Sequence, residues 1–314
     1  MASVIQQPAP PGPTPAADRL RQSMAAVRLS FTWFGVRKTL SAQQKAEAAE
    51  SFGAAGTFLS AGKKLFDTRH PRYQAVSAVR QQAAAFVQGL SLPFPEPGVR
   101  LIRHDDLDRL QIRLSQLEEE LQRAVAQLDA AFDEIRQAAR EQLGRLYSSA
   151  DYPPSLTGLF AMSWEFPSVE PPEYLRRLSP DLYQQECARV AARFDEAVQL
   201  TEQMFLDELS RLVSHLTERL TGAADGKPKV FRDSAVENLT EFFQRFGRLN
   251  IRSSGELEDL VKQAEAVVTG VKPQHLRDGA ALRRQIAREL SGVQASLDGL
   301  LVDRPRRNIL RRAK

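Results

Sequence analysis

The side chains of this 314-residue chain that could do chemistry are mainly carboxylates in short runs: Glu118-Glu119-Glu120, Asp133-Glu134, Asp195-Glu196 and Asp207-Glu208. Carboxylates on facing helices can hold a pair of metal ions, but such bundle sites take further ligands from Glu-x-x-His pairs, and the chain has none. Of the four histidines, His70, His104, His215 and His275, none has another histidine or a cysteine three or four residues away. That spacing would put two metal ligands on one helix face. The carboxylate runs therefore read as solvated flanks of helices. The single cysteine, Cys187, cannot close an internal disulfide and reads as a small apolar helix residue.

One segment resembles a phosphate loop. Between Gly56 and Gly62, followed by Lys63-Lys64, lie five residues. A nucleotide-binding loop needs four, then Lys and a hydroxyl residue, and it follows a strand. Here Lys64 occupies the hydroxyl position and an Ala-rich helix precedes, so Gly62 reads as a helix end. No nucleophile elbow, Rossmann glycine pattern or zinc spacing is present. These readings predict no catalytic residue, no cofactor and no metal site, and a protein that is not an enzyme.

The net charge of +4 hides segregation. Residues 1–103 carry 13 basic and 5 acidic side chains, and residues 104–303 carry 24 basic and 34 acidic. Residues 304–314 carry six basic and no acidic ones. A basic start, an acidic middle and a basic tail suggest intermolecular contact. Arg304, Arg306, Arg307, Arg311, Arg312 and Lys314 are the candidate nucleic-acid contacts, by phosphate charge alone, since they lack interleaved aromatics. No apolar run reaches the roughly 18 to 20 residues that cross a bilayer. The start, MASVIQQPAPPGPTPAAD, has neither a basic nor an apolar signal region. The expectation is a cytoplasmic protein with no membrane association.

The elements that must position any site are helices, as the abundance of Ala, Leu, Gln, Glu and Arg implies. Leu107, Leu110, Leu114, Leu117, Leu121, Ala124, Leu128, Ala131, Ile135 and Ala138 form a stripe with steps of three and four. It predicts one helix over about Asp105–Ser148, on the order of 65 Å long. A matching stripe, from Tyr183 and Cys187 to Leu216 and Leu220, predicts a second long helix with Ser179 capping and Pro180 opening it. Further helices are predicted over about Ser41–Ala61, from Pro71, and over Asp233–Leu249, Gly255–Thr269 and Pro273–Leu301. Alternation over 27–35 predicts a strand, with 98–103 as its partner in a short two-stranded ribbon. The connection 151–179 has prolines at 153, 154, 167, 171 and 172. It reads as a long apolar loop, with Phe160, Met162, Trp164, Phe166 and Tyr174 as candidate partner-binding residues.

Leu29-Ser-Phe-Thr-Trp-Phe-Gly-Val-Arg-Lys, Gly62-Lys-Lys-Leu65, Leu92-Pro-Phe-Pro and Gly98-Val-Arg-Leu-Ile, with the two long helices, resemble an uncharacterised bacterial and phage family of helical proteins. The resemblance covers roughly residues 27 to 225. Members of that family are sometimes encoded near MoxR-type AAA+ ATPases and von Willebrand A-domain proteins. The resemblance implies a helical adaptor or partner of such an ATPase; it supplies no catalytic residues.

The expected fold is all-α and elongated, a long antiparallel coiled-coil-like helical hairpin with additional packed helices and a short β-ribbon. The expected divisions are a Pro-rich disordered tail (1–18), an N-terminal helical region (19–103), the hairpin (104–222), C-terminal helices (223–303) and a basic tail (304–314). The expected function is protein interaction or scaffolding, with an AAA+ ATPase or von Willebrand A-domain protein, or a second copy, as partner. Nucleic-acid binding through the basic N-terminal region and tail is the alternative.

Overall fold

Side-chain chemistry sets most element boundaries in the computed structural model, which describes residues 14–221, 234–271 and 273–303. Among these residues the helices are α1 (Pro15–Ser23), α2 (Ala42–Glu50), α3 (Pro71–Leu90), α4 (Leu107–Ala130), α5 (Phe132–Leu143), α6 (Leu175–Leu178), α7 (Pro180–Thr221), α8 (Ser234–Leu249), α9 (Gly255–Val268), α10 (Pro273–Asp278) and α11 (Ala280–Asp303). The strands are β1 (Met24–Thr32), β2 (Arg37–Thr39), β3 (Gly62–Lys64), β4 (Ser91–Pro93), β5 (Val99–Arg103) and β6 (Ala161–Glu165). Thr14 caps α1 by accepting from Ala17 N–H, and proline opens the helix. Ser41 and Gln44 form a reciprocal capping box on α2.

The all-α expectation is overturned. The chain is mainly helical but mixed, with a four-stranded antiparallel sheet and a separate two-stranded one. The larger sheet has the order β4-β5-β1-β6, and the smaller pairs β2 with β3. The expected ribbon of 27–35 with 98–103 is thus the middle of a wider sheet. The residues read as an irregular connection supply its edge strand β6, with Leu29 opposite Trp164 and Phe31 opposite Met162. Flanking prolines make that stretch look like a loop, but Ala161-Met-Ser-Trp-Glu165 contains none, and its side chains alternate exposed and covered.

The single hairpin is overturned too. The chain divides into two compact units, Met1–Ala26, Ser91–Ile102 and Ser168–Lys314 in one, and Val27–Leu90 with Arg103–Pro167 in the other. The two long stripes fall in different units, and each is covered inside its own. In the second unit α4 packs chiefly on α3, burying Leu110, Leu114, Leu117, Leu121 and Leu128. In the first, α7 packs on α11, α1 and α8, and Phe205 meets the rings of Phe246 and Phe242 at 4.9 and 6.1 Å.

The first long helix is also shorter than its stripe suggests. At Ala131 the N–H turns to the carbonyls of Leu128 and Asp129. The carbonyl of Gln127 accepts instead from Arg72 Nη1, at 3.0 Å. Beyond this break the buried positions are Phe132, Ile135 and Ala139, with Ala138 exposed, so the stripe slips by one residue. The predicted 273–301 helix is divided at Gly279, where a Cβ would lie 2.9 Å from the carbonyl oxygen of His275. Arg283, the polar interruption of that stripe, donates to Leu276 O at 3.0 Å.

Burial on α4 leads to a direct test. Leu117→Ala is expected to lower stability by about 2–5 kcal/mol in urea unfolding. Ile112→Ala, on the same helix but 61% exposed, is expected to change it by less than about 0.5 kcal/mol.

Candidate functional site

The residues singled out for chemistry or binding fall into distinct settings. Phe160 and Met162 lie on the second unit's core side, 5% and 4% exposed. The Phe160 ring meets Trp33 edge-on at 5.0 Å and lies 6.3 and 6.4 Å from Phe34 and Tyr73. Trp164 is half-buried and donates its indole N–H to Gln111 Oε1 at 2.8 Å. Met162 and Trp164 belong to β6, and Phe160 immediately precedes it, so the alternation of a strand accounts for the apolar character of the two strand residues. Phe166 and Tyr174 are exposed, at 48% and 60%, and belong to different units. The basic residues Arg304, Arg306, Arg307, Arg311, Arg312 and Lys314 lie outside the described residues.

A groove of about 290 Å³ runs between α4 and the segment before β6, lined by Leu121, Val125, Phe160 and Met162, with Glu118 and Gln122 beside them. Its walls are mostly apolar, with Glu118 and Gln122 of α4 and Thr157 of the facing segment as its polar residues. Among the described residues no three His, Cys, Asp or Glu side chains gather as a metal set.

The most unusual electrostatics lie at the β2–β3 ribbon. Its register sets Arg37 opposite Lys64 and Lys38 opposite Lys63. Like charges directly opposite on paired strands repel. On one face the conflict is met by Asp151, whose carboxylate lies 2.5 Å from Lys38 Nζ and 2.5 Å from Lys63 Nζ. Lys63 is buried and also donates to the Leu146 carbonyl. The hydrogen bonds from Lys38 and Lys63 hold the Asp151 carboxyl below the usual carboxylate range. Next to it, Tyr152 donates to Leu65 O at 2.5 Å, and burial pushes its hydroxyl up to about 12. This is a structural clasp fastening 146–152 to the ribbon. Sequence offers no signal for it, since Lys63 and Asp151 are distant in the chain and no motif links them.

In the first unit, exposed apolar side chains concentrate where α6 meets α7. Tyr174, Leu178 and Leu182 are 60%, 77% and 49% exposed, and α7 has no fully buried side chain before Val190. Ser179 is extended and separates the two helices. Tyr183 donates its hydroxyl to Glu173 at 3.2 Å, tying the start of α7 back to the turn before α6. Arg176 and Arg177 flank the apolar residues, Arg176 paired with Glu173 at 3.1 Å. Among the described residues no helix is long and apolar enough to cross a membrane.

Comparison with protein-family models, with curated proteins and with solved structures finds no match.

The clasp makes an asymmetric pair of substitutions informative. Asp151→Asn leaves Lys63 buried without a counter-charge and is expected to cost about 3 kcal/mol, while Lys63→Met leaves Asp151 paired with Lys38 and costs less. Because the folded Asp151 carboxyl titrates below its unfolded value, its contribution is present above about pH 4 and lost as pH falls further. Urea midpoints measured from about pH 7 down to about pH 2 should therefore converge for wild type and Asp151→Asn at the acid end.

Proposed function

We propose that the chain is a non-enzymatic protein-interaction or scaffold protein that works in the cytoplasm as an adaptor or partner of an AAA+ ATPase of the MoxR type. The observation that carries the reading is the exposure of Tyr174, Leu178 and Leu182 within nine residues at the entry to the longest helix. Exposed apolar side chains concentrated on one stretch, with polar side chains around them, are the ordinary mark of a contact surface. Tyr174 adds a ring of the kind that dominates binding energy at interfaces. The long α7 gives such a surface a rigid mount. The choice of ATPase rests on the likeness of residues 27–225 to the helical family described above.

Affinity isolation of the full chain from its native host, followed by mass spectrometry, tests the proposal. Recovery of an AAA+ ATPase or a von Willebrand A-domain protein is expected, and Leu178→Asp should reduce it at least tenfold, since placing a charge in an apolar contact costs more than about 1.4 kcal/mol. The same variant should keep the wild-type unfolding midpoint. Recovery of the chain alone, as a monomer, would contradict the reading.

A further inference from the structure

The excursion between β2 and β3 holds its most apolar side chains in water. From Ser51 to Gly62 no residue is charged, yet Phe52 is 81% and Phe58 92% exposed. The segment is built rather than loose. Gly53, at φ 63°, closes α2 with the paired hydrogen bonds of a Schellman turn, Gly53 N–H to Glu50 O at 3.0 Å and Ala54 N–H to Ala49 O at 3.0 Å. Gly56 then lies against α2 so closely that a Cβ would stand 3.0 Å from Ala46 Cα. A short 3₁₀ turn, Gly56–Phe58, returns the chain to the ribbon, whose last rung is Leu40 N–H to Ala61 O at 3.1 Å. Both phenyl rings are thus held outward by an ordered backbone.

The base of this tip is cationic. Asp151 takes up Lys38 and Lys63 on one face of the ribbon, and Arg145 lies 3.6 Å from Glu47. On the other face Arg37 and Lys64 stand opposite each other, both exposed. Lys64 also acts on the Asp67 carboxylate, which is itself paired with Arg69. The acid nearest the tip in sequence is Glu50, which ends α2. Two cations facing each other repel, and an anionic surface would relieve that repulsion.

We infer that this tip is a peripheral membrane anchor, docking on a bilayer rich in anionic phospholipid. Phe52, Phe58 and the half-buried Leu59 enter the boundary between headgroups and acyl chains, while Arg37 and Lys64 meet the phosphates. The separation of the two chemistries selects this occupant. A nucleic-acid strand is met by cations interleaved with stacking rings, whereas here the uncharged stretch is continuous and the cations are gathered at its base, the layering of a lipid interface. Two rings and two cations give reversible attachment, short of insertion.

Flotation of the full chain with vesicles tests the inference. Binding is expected to phosphatidylcholine vesicles containing phosphatidylglycerol, and at least tenfold less to phosphatidylcholine alone. Phe52→Ser/Phe58→Ser, at exposed positions that leave the fold intact, should weaken binding about tenfold or more. Arg37→Gln/Lys64→Gln should weaken it about tenfold and flatten its salt dependence. A Phe58→Trp chain should be quenched by brominated acyl chains. Absence of vesicle binding overturns the inference, as does binding that the serine pair leaves unchanged, which would place the attraction in charge elsewhere. Retardation of an oligonucleotide that is lost with Arg37→Gln/Lys64→Gln, without vesicle binding, would assign the ribbon to nucleic acid instead.

Discussion

A helix with a continuous apolar stripe must have that stripe covered, and the architecture of this chain follows from how the two longest stripes meet the demand. The stripe of α4 is closed by α3, which comes before it in sequence, and that of α7 by α11, which lies at the far end of the described residues. The two units are therefore not successive blocks of sequence. The chain leaves the first within β1, returns for β4 and most of β5, leaves again at Arg103, and returns at Ser168. Leu110, Leu114 and Leu117 are wholly buried, as are Leu206, Leu209 and Leu216, so both seams bury large apolar area, the dominant favourable term in folding.

Periodicity reveals which face of a helix is hidden but carries no information on what hides it. That is why the helices themselves were legible: Pro180–Thr221, Gly255–Val268 and the start at Pro71 fall close to where caps, prolines and spacing put them. The pairing of the long helices was not, because two stripes of similar length suit each other as well as they suit third parties. The break at Ala131 was invisible because alanine is a good helix former and the interruption depends on Arg72, distant in sequence, capturing a carbonyl. The strand β6 was hidden by its flanking prolines. Phe160, Met162 and Trp164 were legible as apolar, but not the first two as buried or the third as half-buried. An apolar side chain in a proline-rich segment is equally consistent with a binding loop and an edge strand, and the pairing with Arg28–Thr32 decides for the strand.

The electrostatics show the same division between local and distant information. The basic character of residues 1–103 is plain from composition, but its distribution is set by the fold. Asp151 absorbs one cationic pair of the ribbon, and the register leaves the other in water. Tyr174, Leu178 and Leu182 in one unit, and Phe52 and Phe58 in the other, are apolar where the surrounding fold gives no cover. Each group sits on or beside an ordered helix end, so each is displayed in a fixed geometry. These surfaces are what the proposal of a contact role rests on.

Native-state hydrogen exchange followed by mass spectrometry tests the covering of the stripes most directly. If α4 is closed by α3 and α7 by α11, then peptides from Pro71–Leu90 should lose protection at the same denaturant concentration as those from Leu107–Ala130. Peptides from Ala280–Asp303 should lose it together with the later part of Pro180–Thr221. Protection of α4 that outlasts that of α3, or of α7 that outlasts that of α11, α1 and α8 alike, would contradict the account, because a stripe that stays protected after its covers have opened must be covered by something else.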